Sequence, residues 1–92
     1  MALEKYPQAQ ADLLKATALK PSDKDAWRNL GSVYAYMSKY PQAVTCYTKS
    51  ISIDPRFASV YHDRGVTYRI LGKYDLASRD LGIARALGHV PR

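Results

Sequence analysis

Apolar and polar positions along this chain follow a helical stride. Trp27, Leu30, Gly31 and Tyr34 stand at i, i+3, i+4 and i+7, which puts them on one face of an α-helix. Ala43, Tyr47, Ser50 and Ile53 step by four, three and three, again one helical face. Between these segments lies Ser38-Lys39-Tyr40-Pro41. Proline suits the first position of a helix, where its missing N–H has no partner to lose, and Pro7 and Pro41 fit that role. Asp75 takes the same slot later in the chain, where a carboxylate suits the positive end of the helix dipole. Ser22-Asp23-Lys24-Asp25 reads as a capping box ahead of Trp27. Lys20-Pro21 and Asp54-Pro55 interrupt the pattern, because proline cannot continue a helix. Five helices are predicted, over roughly 7–19, 23–37, 41–53, 57–71 and 75–87.

The helices come in repeating pairs. Lys5-Tyr6, Lys39-Tyr40 and Lys73-Tyr74 recur at a constant interval of 34 residues. The same interval aligns Ala9, Ala43 and Ala77; Leu13, Tyr47 and Leu81; Ala16, Ser50 and Ala84; and Leu19, Ile53 and Leu87. Two-membered columns join Trp27 with Tyr61, Tyr34 with Tyr68, Gly31 with Gly65 and Pro21 with Pro55. A glycine in mid-helix costs up to about 1 kcal/mol against alanine, so a recurrent one needs a compensating cause. Close approach of the paired helix, at the level of Ala43 or Ala77, supplies it. Seven of the eight tyrosines (6, 34, 40, 47, 61, 68 and 74) fall in these columns and read as core; Tyr36 alone does not. Each pair has too little apolar face to stand alone, so neighbours must stack.

Composition narrows the function. A chain of 92 residues has room for one small domain, without space for a cofactor domain beside a substrate domain. Its 47% hydrophobic and 24% charged residues are ordinary globular usage. No apolar run approaches the ~18–20 residues that span a bilayer, so no membrane insertion is expected. The opening MALEKYPQAQ lacks the apolar stretch of a secretory signal. Together these give the expectation of a cytoplasmic, cofactor-free protein. The single Cys46 leaves no internal disulfide and, with two histidines, no zinc set. Net charge is +6, but the basic residues are dispersed, which reads as a solvated surface. Nucleic-acid binding wants exposed aromatics among basic residues, and the columns claim most of the aromatics.

The run Trp27, Leu30, Gly31, Tyr34, Ala43, Tyr47, Pro55 strongly resembles the tetratricopeptide repeat pattern W-x2-L-G-x2-Y, A-x3-Y, P. The resemblance divides a single domain, 1–92, into a half repeat at 1–23 and full repeats at 24–57 and 58–91. Two departures stand in the last unit: Arg64 replaces the leucine and His89 the inter-repeat proline. The implied fold is all-α, a solenoid of antiparallel helix pairs in a right-handed superhelix. The implied function is a scaffold or adaptor that binds a peptide or partner protein on its concave face, lined by the first helix of each pair. By slot, that lining is Asp25, Arg28, Asn29, Ser32 and Tyr36, then Ser59, His62, Asp63, Val66 and Arg69. Tyr36 is the expected anchor. Asp25 and Asp63 could instead pair with the arginines internally.

Rival readings are weaker. Part of the family grips chaperone tails with lysine, asparagine and arginine on three successive first helices. Asn29 sits in an asparagine slot, but Asp63 fills the equivalent place and would repel a carboxylate. Catalysis lacks a constellation: Cys46 and His62 lie on different helices, and no Walker or GxGxxG motif is present. Self-association is the alternative to partner binding. The first unit has one helix, so Leu3, Leu13 or Leu14 is expected to lack cover, and a second copy could supply it. At the other end, before His89-Val90-Pro91-Arg92, Ser78 and Arg85 hold the slots of Val44 and Ile51 and read as a polar end cap.

Overall fold

The computed structural model describes residues 5–89. Five helices follow one another: α1 (Lys5–Leu19), α2 (Lys24–Tyr36), α3 (Tyr40–Ile53), α4 (Ala58–Ile70) and α5 (Tyr74–Ala86). Each lies within two residues of its predicted span. Leu3 and Val90-Pro91-Arg92, invoked above as ends, lie outside the described residues. Each helix packs on the next, and α2 also touches α4, whereas α1, α3 and α5 do not touch one another. The first helices of the two full pairs therefore sit on the inside of the curve.

The turn inside each pair is built the same way. Lys39 N–H donates to Tyr34 O at 2.8 Å while Ser38 N–H donates to Ala35 O at 3.0 Å. The same two bonds recur in the second pair, from Lys73 to Tyr68 and Gly72 to Arg69, and again after that pair, from His89 to Ala84 and Gly88 to Arg85. This helix-ending motif needs a left-handed residue. Gly72 (φ 77°) and Gly88 (φ 98°) supply it freely, and Ser38 does so at φ 61° despite its side chain.

Two details differ from the sequence expectation. Asp23, not Ser22, caps α2, because its carboxylate accepts from the N–H groups of Asp25 and Ala26. Helix α3 starts one residue early, so Pro41 occupies its second position rather than its first. No hydrogen bond is lost there, since the first four N–H groups of any helix lack an internal partner.

The core forms where α2, α3 and α4 meet. Ala43, Tyr47 and Val60 are buried, with Tyr34, Ala35, Ile51 and Phe57 packed against them. Gly31 permits this approach: a Cβ there would stand 2.7 Å from the Tyr47 ring and 3.2 Å from Ala43 O. At Gly65 the nearest atoms belong to Leu81 and Asp80 of α5, so that glycine too permits close approach of its paired helix. Polar atoms inside are satisfied. Ser50 Oγ donates to Lys24 O at 2.9 Å, and Thr17 Oγ1 to Leu14 O at 3.1 Å. Trp27 Nε1–H donates to Pro21 O and Tyr61 Oη–H to Pro55 O, both at 2.8 Å. These aromatics hold equivalent slots, so the repeat preserves a hydrogen bond although the ring changes.

The outer columns fare differently. Tyr74 is 67% exposed and Leu19 is 87% exposed, so neither is core as the columns suggested. Each column position is buried only where a neighbouring helix covers it. Ser78 and Arg85 are exposed at the last helix, whereas Val44 and Ile51 in their slots are partly covered. Thr17, in the slot of Ile51, is buried under α2.

Candidate functional site

On the inner side, α2 and α4 leave a cleft of about 300 Å³ whose floor is α3. Ser32, Ala35 and Tyr36 form one wall, His62, Asp63, Val66, Thr67 and Ile70 the other, with Tyr40 and Tyr47 beneath. The cleft exists because the first helices meet at only a few residues while α3 sits behind both. Tyr36 lies at the last turn of α2 and is 66% exposed. Its ring stacks on Tyr6 of α1, centroids 5.5 Å apart and planes at 15°, so the aromatic surface is held open rather than folded inward. Tyr6, read as core, is therefore a partner of the candidate anchor.

The polar groups of the cleft are already positioned. Ser32 Oγ and Tyr47 Oη lie 3.1 Å apart and share a hydrogen bond. Burial pushes the Tyr47 hydroxyl up to about 12, which keeps it a neutral donor or acceptor. Arg28 Nε–H donates to Asp63 Oδ2 at 2.8 Å, tying α2 to α4. Internal pairing, left open by sequence, is thus what this arginine does. His62 Nδ1 stands 3.9 Å from the other Asp63 oxygen.

Of the ten predicted lining residues, Ser32, Tyr36, His62, Asp63 and Val66 converge on the cleft. Arg28 contributes through Asp63. Asp25 and Asn29 are exposed on α2, and Ser59 is half-buried in the first turn of α4; none of these three lines it. Arg69 lines an adjoining groove between α4 and α5, which shares His62 and Val66 with the cleft and adds Leu81, Ala84, Arg85 and His89.

This geometry has known counterparts. Tetratricopeptide repeat models match residues 25–57 and 46–77. The chain belongs to the tetratricopeptide repeat family. No curated protein matches its sequence. Among solved structures, it is similar to a crystal structure of MamA, at 32% identity and a TM-score of 0.87 over 90% of this chain and 48% of that one. The chain thus spans about half the length of MamA. It also shares its fold with the second tetratricopeptide domain of Spaghetti (RPAP3), bound to the HSP90 peptide SRMEEVD, at 24% identity and a TM-score of 0.88 over 90% and 77% of the two chains. The Arabidopsis OM64 tetratricopeptide domain is alike at 22% identity and 0.89, over 92% and 70%.

Within the tetratricopeptide frame, sequence reasoning missed the apolar half of the cleft. Ala35, Tyr40, Thr67 and Ile70 line it. Tyr40 was taken for core by its column, and Ile70 stands in the slot of Tyr36, which was a usable signal. Among the described residues, no three His, Cys, Asp or Glu side chains gather as a metal site. No described helix is long and apolar enough to cross a membrane. Cys46 is buried on α3 and lines a pocket with Leu14, Trp27, Leu30 and Tyr34, away from His62. Burial pushes its thiol up to about 11, the opposite of what a nucleophile needs.

Proposed function

We propose that this chain is a protein–protein interaction module whose α2–α4 cleft binds a peptide segment of a partner protein. The observation that carries the reading is the exposed Tyr36 ring over a cleft walled by Ala35, Val66 and Ile70. An aromatic held by stacking loses little freedom on binding, and such anchors supply much of the affinity at interfaces. Ser32, His62 and Asp63 add a few fixed polar contacts that orient a ligand. The peptide-bound Spaghetti domain, alike in fold, supports the same use of this architecture. Membership of the tetratricopeptide repeat family and the upward-shifted Cys46 thiol support a non-catalytic role.

Panning a random peptide library on the purified chain tests the reading. Selected peptides should lose at least about tenfold in affinity on Tyr36→Ala, the effect of removing an aromatic hot spot. Peptides that bind Tyr36→Ala and Val66→Asp as well as the parent would remove the cleft from consideration.

Self-association is a second reading, favoured by one observation. Leu14 and Leu19 of α1 are 43% and 87% exposed, on a helix with a neighbour on one side among the described residues. Light scattering over a concentration series should then show dimers that Leu14→Asp dissociates. A monomer at every concentration rejects it.

A further inference from the structure

The groove beside the last described helix pair shares His62 and Val66 with the inner cleft but differs from it in kind. It encloses about 310 Å³ between α4 and α5. In the middle pair, the equivalent surface is apolar and covered: Ala35 and Ile51 pack against the Ala43, Tyr47 and Val60 cluster. One repeat later the same two slots hold Arg69 and Arg85, both exposed. The slots of Arg28 and Pro55 hold His62 and His89, whose rings lie 4.4 Å apart. Two guanidiniums and two imidazoles thus rim a floor of Val66, Leu81 and Ala84.

An ordinary apolar first helix stacked here would strip water from both arginines without offering them a partner, which is costly. Among the described residues neither arginine has an ion-pair partner. The nearby Asp63 carboxylate is already engaged by Arg28. We infer that this α4–α5 groove is a second binding site, for an acidic peptide segment whose carboxylates pair with Arg69 and Arg85 while its backbone lies on the apolar floor. Guanidiniums favour such planar, bidentate recognition of carboxylates. A nucleic acid fits less well, because the two imidazoles face each other instead of offering an open stacking platform. The inference rests on the chain being a peptide-binding module, but on a groove that adjoins the cleft through His62 and Val66 and that Tyr36 does not line.

The probe is fluorescein-labelled hexaglutamate, followed by anisotropy, with hexaglutamine as the neutral control. Arg69→Ala with Arg85→Ala should weaken hexaglutamate at least about tenfold, as expected for loss of charge-assisted hydrogen bonds. Lys15→Ala with Lys20→Ala removes equal charge from exposed positions elsewhere and should change affinity less than about twofold. Tyr36→Ala should leave hexaglutamate binding intact while weakening cleft peptides at least about tenfold, so the two sites can fail independently. Circular dichroism confirms that each variant is folded. The proposal is overturned if hexaglutamate does not bind, if hexaglutamine binds equally, or if the lysine pair matters as much as the arginine pair. It is also overturned if a single-stranded oligonucleotide of equal charge competes better than unlabelled hexaglutamate.

Discussion

In the middle repeat, Leu30 and Cys46 line one apolar pocket behind Trp27 and Tyr34. In the last repeat, the same two slots hold Arg64 and Asp80. Arg64 donates to both Asp80 oxygens, at 2.7 and 2.9 Å, and to Thr48 Oγ1 at 3.1 Å. Its guanidinium lies 5.8 Å from the centre of the Tyr61 ring and 5.5 Å from that of Tyr68. Asp80 is 1% exposed, as deeply buried as Leu30. One backbone arrangement therefore accepts a hydrocarbon contact or an ion pair in the same place. The stacking geometry decides which slots face each other, and the slots can be refilled so long as both partners change together.

Breaking the ion pair on one side is the largest perturbation this comparison predicts. Asp80→Ala leaves the partly buried Arg64 guanidinium without its carboxylate and should cost about 2–4 kcal/mol. That is a large part of the total stability of a small domain. Transplanting the middle repeat's pair, Arg64→Leu with Asp80→Cys, should restore the parent to within about 1 kcal/mol, or exceed it. Urea unfolding followed by circular dichroism measures both. If the double variant is as unstable as Asp80→Ala, the slots are not interchangeable and the comparison fails.

Gly31 and Gly65, which share one slot, sharpen the contrast further. A Cβ at Gly31 meets a rigid ring 2.7–2.8 Å away whose hydroxyl is tied to Ser32. At Gly65 it meets Leu81, at 2.9 and 3.0 Å, an aliphatic side chain that can rotate. Gly31→Ala should therefore lose about 1–3 kcal/mol through overpacking. Gly65→Ala should lose less, because relief at Leu81 leaves more of the helix-propensity gain of about 1 kcal/mol. Equal losses in urea unfolding would mean that ring rigidity is irrelevant.

Smaller still is the turn that closes each pair. Ser38 and Gly72 hold the same slot and the same left-handed backbone, but a side chain is disfavoured there. Ser38→Gly should raise stability by about 0.5–1 kcal/mol, seen as a higher urea midpoint with an unchanged slope. Gly72→Ser should lower it by a similar amount.

Much of this architecture was legible because a 34-residue interval repeats the chemistry of each slot. All five helices, the core around Ala43 and Tyr47, and the exposure of Tyr36 could be read directly. What escaped depends on where the stack stops covering its columns. Tyr74 shares a column with Tyr40, yet is solvated because no described helix lies over it. Arg64 was visible as a departure, but its compensation by Asp80 was not, since the two are sixteen residues apart on facing helices. Arg69 shares the slot of Ala35, a wall of the cleft, yet lines the adjoining α4–α5 groove. Slots give angular position around a helix; the neighbours that turn a position into wall, floor or open face come from the assembled fold.

The weakest effect follows from the apolar member of the compared pair. Cys46 is buried, and its thiol is pushed up to about 11 from an ordinary 9.0 because ionisation there would place a charge in the core. The unfolded chain releases this proton near 9 and the folded chain near 11. Between those values the unfolded state binds fewer protons, so folding stability falls as pH rises. The thiol's share should be under about 1 kcal/mol at pH 9.5. Tyr47, pushed up to about 12 by the same burial, adds a further loss only at higher pH. Cys46→Ala isolates the thiol: its urea midpoint should be lower at pH 7 through lost packing, but should decline less than the parent's between pH 8.5 and 9.5. Parallel declines would show that the slot titrates as if in water, and that Leu30 and Cys46 do not form the dry counterpart of the Arg64–Asp80 pair.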